Sequence, residues 1–170
     1  MNSKIITLIA VGITVLVYII FTLRNYDPLS QESKEQIIGR EKIQMEMIYS
    51  KDLIGLSLNG ELFDLYMYNT NLKNPPDTTP NIEEWQGKSL NESCKVSGWS
   101  KLLNNPENNE FDTMPTYALT MVDNNITRQF LEDIENNLCH YCYIKFHDME
   151  NYLFLYSETS NMICYIRNRS

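Results

Sequence analysis

Hydrophobic positions change rhythm along this chain, and each rhythm predicts a different element. From Ile5 to Leu23 the run IITLIAVGITVLVYIIFTL contains nineteen residues and no charge. As a helix it reaches roughly 28 Å, close to the hydrocarbon thickness of a bilayer. The spacing therefore predicts a transmembrane helix through residues 5–23, with Lys4 and Arg24 as interfacial charges and Tyr18 and Thr22 near one end. A cleavable signal peptide has a shorter apolar region followed by small residues. Here Leu23-Arg24-Asn25-Tyr26 follows, with no cysteine close enough for lipid attachment, so the run is expected to stay as a signal anchor. Lys4 with the amino terminus nearly balances Arg24 with Lys34, so charge alone does not orient the span. The short leading tail and large following domain favour an extracytoplasmic domain. The expected organisation is a transmembrane anchor over 1–24, a juxtamembrane amphipathic helix over 25–50 and a soluble domain over 51–170.

Beyond the anchor, Pro28 and Ser30 break the chain, and Ser33 with Gln36 has capping-box spacing for a helix running to about Tyr49. Its apolar positions (Ile37, Ile38, Ile43, Met45, Met47, Ile48) follow the helical period loosely, and Gly39 weakens it. Asn59-Gly60 is a dipeptide favoured in type I′ turns, so residues 52–68 read as a hairpin. A two-residue loop would pair Leu58 with Glu61, Leu56 with Phe63 and Ile54 with Leu65, burying Ile54, Leu56, Phe63 and Leu65.

Residues 69–113 read as loop, punctuated by Pro75, Pro76, Pro80 and Pro106, with short helical turns near Ile82–Trp85 and Trp99–Leu103. Long loops often carry binding residues, and Trp85 and Trp99 are the candidates here, either as a binding loop or as staples to the core. Thr116–Val122 reads as a strand. Thr127–Leu138 reads as an amphipathic helix through Phe130, Leu131, Ile134 and Leu138. Three strands follow at about 141–147, 152–157 and 162–167, with turns at Asp148–Asn151 and Glu158–Asn161. Cys142, Ile144 and Phe146 share one strand face, and Met162, Cys164 and Ile166 share another. The fold class expected is α+β: a transmembrane helix, then a small domain whose antiparallel sheet packs against one or two helices.

Charge narrows the partners. Residues 25–170 carry twelve basic and twenty-two acidic side chains, a formal −10. That is the wrong sign for a nucleic-acid binder and gives no help on anionic lipid. The expected partners are the bilayer, through residues 5–23, and a protein at the membrane.

Cys139-His140-Tyr141-Cys142 invites a redox or metal hypothesis. A thioredoxin-like pair, however, sits at a helix amino terminus, and this one leaves a helix and enters a strand. Covalent haem would need His where Tyr143 stands. Zinc could draw on Cys139 and Cys142 with Cys94, Cys164, His140 or His147, but no second paired spacing supports it, so neither metal nor cofactor is expected. Outside the cytoplasm the four cysteines could form two disulfides, and Cys139–Cys142 with Cys94–Cys164 is the preferred pairing. His140 and His147 lie in no catalytic motif, and the acid pairs Glu83-Glu84 and Glu132-Asp133 read as solvated helix faces. Sequons begin at Asn91, Asn125 and Asn168 and matter only in a secretory pathway.

The leading expectation is a membrane-anchored, non-enzymatic binding or scaffolding protein of the cell envelope. The apolar amino-terminal helix, amphipathic extension, antiparallel sheet and late cysteines also resemble the general architecture of type IV pilins and pseudopilins. That resemblance implies an assembly subunit. The processing glycine and fifth-position Glu of that family find no match here, since Gly12 is followed by Ile13-Thr14-Val15-Leu16-Val17. A cysteine-based redox or zinc domain is the remaining alternative.

Overall fold

The structure is a computed structural model that describes residue 9 and residues 11–15, 26–55, 59–80, 82–90, 94–102, 113–147 and 150–169. The chain divides into two compact units, Met1–Ser30 and Gln31–Ser170. In the first, Ile9 and residues 11–15 are helical. Most of the expected span at 5–23 lies outside the described residues. Among the described residues no helix is long and apolar enough to cross a membrane.

The second unit is α+β, an antiparallel sheet with a few helices. Its elements are α1 (Gln31–Ile38), β1 (Met45–Asp52), β2 (Leu62–Thr70), β3 (Glu84–Trp85), β4 (Lys88–Ser89), β5 (Cys94–Val96), β6 (Ser100–Lys101), α2 (Thr113–Thr120), α3 (Asn125–Glu135), β7 (Cys139–Phe146), β8 (Glu150–Ser157) and β9 (Met162–Arg169). The main sheet has seven strands in the order β1-β2-β9-β8-β7-β5, with β6 also on β7. Strands β5 and β6 share the β7 edge end to end, Cys94 opposite Phe146 and Ser100 opposite Tyr141. The carboxy-terminal meander expected from the sequence is present as β7, β8 and β9. A short turn joins β8 to β9, and the three strands pair directly, Cys142 with Phe154 and Phe154 with Tyr165.

Both sheet faces are covered. One face joins Leu65, Met67, Leu153, Leu155, Cys164 and Ile166 to Ala118, Leu119, Phe130 and Ile134 of α2 and α3 in a single core. Helix α3 matches its amphipathic reading. Asn124 caps it, its side chain accepting from the Thr127 amide while the Thr127 hydroxyl reaches back, a reciprocal capping box. The other face carries Tyr68, Tyr152, Phe154, Tyr156 and Tyr165, all fully buried. Trp85 packs edge-on to Tyr152 and Phe154 at 5.9 and 5.7 Å between ring centroids.

Four expectations need correction. The helix predicted to reach Tyr49 ends at Ile38, because Gly39 adopts φ +71° and its amide bonds back to Glu35, the left-handed exit that glycine permits. A β-carbon at Gly39 would lie 2.3 Å from the Thr78 hydroxyl, so the close approach also requires glycine. Beyond it, Met45-Glu46-Met47 alternates as the edge strand β1, with a bulge at Ile48.

The β1–β2 hairpin exists, but Leu65 pairs with Lys51 rather than Ile54, a three-residue change of register. The Asp52 carboxylate accepts the amides of Ile54 at 3.1 Å and Gly55 at 2.7 Å, and this local turn ends the strand early. Phe63 and Leu65 are buried as expected, whereas Ile54 is 45% exposed. The pairing partners Leu56 and Leu58 lie outside the described residues.

Thr116–Val122 is not a strand: Thr113–Thr120 is α2. Pro115 sits in its first turn, where a missing amide donor costs little, and the consecutive residues Ala118 and Leu119 both enter the core. Finally, the short helical turns expected near Trp85 and Trp99 are the two-residue strands β3 and β6.

Candidate functional site

Three places bring together side chains that could carry chemistry or recognition. The first lies beneath the β3–β4 hairpin. Glu150 is buried, accepts from Arg167 at 2.9 and 3.2 Å, and pairs with Lys88. Burial pushes its pKa up, but hydrogen bonds from Lys88, Tyr152 and Arg167 outweigh that and hold the carboxyl at about 2. The Arg167 guanidinium also lies over the Tyr152 ring, 5.9 Å from its centroid, and Lys88 lies over Phe146 at 5.1 Å. A carboxylate neutralised by two cations has no proton to exchange near neutrality, so the arrangement ties the hairpin to the sheet rather than doing acid–base work.

The second is a cluster of short side chains at the β8–β9 turn. Asp133 is buried, and its Oδ2 accepts from the hydroxyls of Ser157 at 2.5 Å and Thr159 at 2.6 Å. Asp133 thus departs from the solvated reading given to Glu132-Asp133. A serine beside an aspartate suggests nucleophilic chemistry, but His140 sits on the opposite face of β7 and bonds Glu158 at 2.6 Å. Through Asp133 the two hydroxyls fasten the turn to α3.

The third is an open apolar groove of about 540 Å³, lined by Ile54, Leu62, Phe63, Met114 and Tyr117, with Glu61, Asn168 and Arg169 at its rim. Tyr117 is 59% exposed and stacks on Phe63 at 5.8 Å and 8°. Ile54 and Tyr117 belong to the few large apolar side chains left exposed in the described part of this unit. Arg169 donates from Nε to the Gly60 carbonyl at 2.8 Å, pinning one wall.

The structure does not bring together the cysteines of either preferred disulfide. All four thiols are free, with Cys139, Cys142 and Cys164 buried and Cys94 half-buried. Residues three apart on β7 point to opposite faces, so Cys139 joins the helix-covered core with Cys164, while Cys142 lies on the aromatic face. Cys94 lies opposite Phe146, on the same face as Cys142. Both preferred disulfides would therefore join opposite faces of the sheet. Burial pushes the thiols up, Cys139 to about 12 with Asp133 and Glu158 adding to the shift. Burial also raises Cys142 and Cys164, with Cys139 adding to the shift of Cys164. Reactive cysteines need the reverse environment. Among the described residues no group of three or more His, Cys, Asp or Glu could hold a metal.

Trp85 and Trp99 are both buried, and the Trp99 indole donates to the Ile37 carbonyl at 2.8 Å. They hold the long loop to α1 and to the sheet. Sequence reasoning misses the groove because it places Tyr117 on a strand and Ile54 on the buried face of a hairpin. Compared with known proteins, the chain matches no family model, no curated sequence and no solved structure.

Proposed function

We propose that this chain is a single-pass, membrane-anchored binding protein of the cell envelope, without enzymatic activity of its own. Its α+β domain would take an apolar segment of a protein partner in the groove at Tyr117. The carrying observation is the uncharged run at residues 5–23, whose described helical residues Ile9, Val11, Ile13 and Val15 expose apolar side chains. Seven residues, 24–30, separate that run from α1 in sequence, which is why the partner is sought at the membrane surface. The groove supports the binding half of the reading, since its size falls within the range of recognition pockets and its walls are apolar with a few polar groups at the rim.

Two measurements test this. Carbonate and high-salt washing should leave the intact chain in the membrane pellet, and release of a soluble species beginning near Asn25 would remove the anchor. A photo-crosslinker at Tyr117 should give one protein adduct in intact cells that Ile54→Glu abolishes. Adduct formation unchanged by that substitution would remove the groove.

A further inference from the structure

We infer that Asn59 is a site of spontaneous deamidation through a succinimide, assisted by the Arg169 guanidinium. Of the nineteen asparagines in the chain, Asn59 is the one followed by glycine. Without a β-carbon, the Gly60 nitrogen can approach the Asn59 side-chain carbonyl with little steric hindrance. The change of hairpin register matters here. In a tight two-residue turn, Asn59 and Gly60 would be flanked by ladder pairs on both sides, but the β1–β2 ladder ends at Asp52 opposite Asp64, and both residues are exposed.

Charge supplies the second element. Arg169 Nε bonds the Gly60 carbonyl at 2.8 Å, and its Nη2 lies 3.6 Å from where a Gly60 β-carbon would stand. A fixed positive charge at that range favours loss of the Gly60 amide proton, which generates the attacking nitrogen. That nitrogen bonds to the Asn59 side-chain carbonyl carbon, and ammonia leaves with the former amide nitrogen and takes up the released proton. One water then opens the ring. Cleavage at the side-chain carbonyl restores the normal backbone as Asp, and cleavage at the main-chain carbonyl gives isoaspartate, with an extra methylene in the chain. No electrons are transferred, and water is the only co-reactant. Either product puts a new carboxylate beside Glu61 and Arg169 at the groove rim, and isoaspartate displaces the carbonyl that Arg169 grips.

The test is to incubate the full-length protein in detergent in mildly alkaline buffer containing ¹⁸O-water and to follow each asparagine by peptide mapping. Asn59 should convert fastest, giving Asp and isoaspartate that each carry one ¹⁸O. Arg169→Met should slow the conversion several-fold, and Asn59→Gln should suppress it. Conversion no faster than at the other asparagines, Asp without isoaspartate, or an unchanged rate in Arg169→Met would each overturn the proposal. Thermal unfolding of Arg169→Met, matched to wild type, separates slower chemistry from an altered fold.

Discussion

Against α2 and α3 the sheet presents Leu65, Met67, Leu153, Leu155, Cys164 and Ile166, whereas its opposite face presents Tyr68, Tyr152, Phe154, Tyr156, Tyr165 and the Glu150 ion pair. The cover explains the difference. A helix satisfies its own backbone and brings only side chains to the interface, so aliphatic groups suffice beneath it. A loop brings unpaired amides and carbonyls that must find partners when buried. The face covered by the long loop together with α1 answers with rings that end in polar atoms and with long cations, Lys34 of α1 lying over the Tyr68 ring. Trp99 donates to the Ile37 carbonyl, Lys34 to the Met45 carbonyl at 2.9 Å, Gln86 to the Tyr165 hydroxyl at 3.3 Å, and Tyr156 to Asn161 at 2.7 Å. Aromatic area supplies the hydrophobic stabilisation, and the polar tips tie this face to α1, β1 and the β8–β9 turn.

The largest test of this comparison is Trp85→Ala, which should destabilise the domain by about 3–5 kcal/mol, similar to Leu155→Ala on the helix-covered face. Denaturant unfolding of both variants measures it. A loss below about 1 kcal/mol for Trp85→Ala would mean that the loop-covered face is not part of the cooperative core.

Glu150→Gln should cost about 2 kcal/mol near neutrality, less than for a wholly buried pair because Lys88 and Arg167 are partly exposed. Its pH dependence has a definite sign. The carboxyl is lowered from 4.5 to about 2 in the fold, so its stabilisation is full above 4.5 and is lost as pH falls toward 2. Unfolding midpoints across that window should fall in the wild type and flatten in Glu150→Gln.

Thiol labelling sharpens the contrast between the faces. Cys94 should react first, and Cys139, Cys142 and Cys164 at least about tenfold more slowly in the folded protein. If the loop cover opens locally, Cys142 should label before Cys139 and Cys164, whereas equal rates for the three would show that both covers open together.

The smallest effect concerns Asp64, which pairs with Asp52 across β1 and β2. Burial, then Asp52, raises its pKa above the ordinary 3.8, so ionisation opposes folding. Asp64→Asn should stabilise by about 0.5 kcal/mol at neutral pH, and the gain should vanish below the ordinary carboxylate range. Thermal unfolding at the two pH values measures it.

The sequence by itself determined the elements whose stabilising contacts are close in the chain. Helix α3 carries its cap and apolar stripe within its own residues, and β7, β8 and β9 pair across short turns, so alternation and turn chemistry sufficed to read them. Glycine at position 60 was legible for the same local reason and adopts φ +75°, but Asn59 is not among the described residues of positive φ, so the expected type I′ turn is not formed. Tertiary structure decided what depends on distant partners. Met45 and Met47 suit a helix or a strand, and pairing with Tyr68 and Thr70 selected the strand. Thr116–Val122 reads as a strand, yet burial of Ala118 and Leu119 against Phe130 and Ile134 made Thr113–Thr120 a helix. The sorting of Cys139 and Cys164 to one face and Cys94 and Cys142 to the other, and the meeting of Ile54, Phe63 and Tyr117 in a groove, are set by sheet order and register. No local pattern encodes either of these, because both depend on which strands lie side by side.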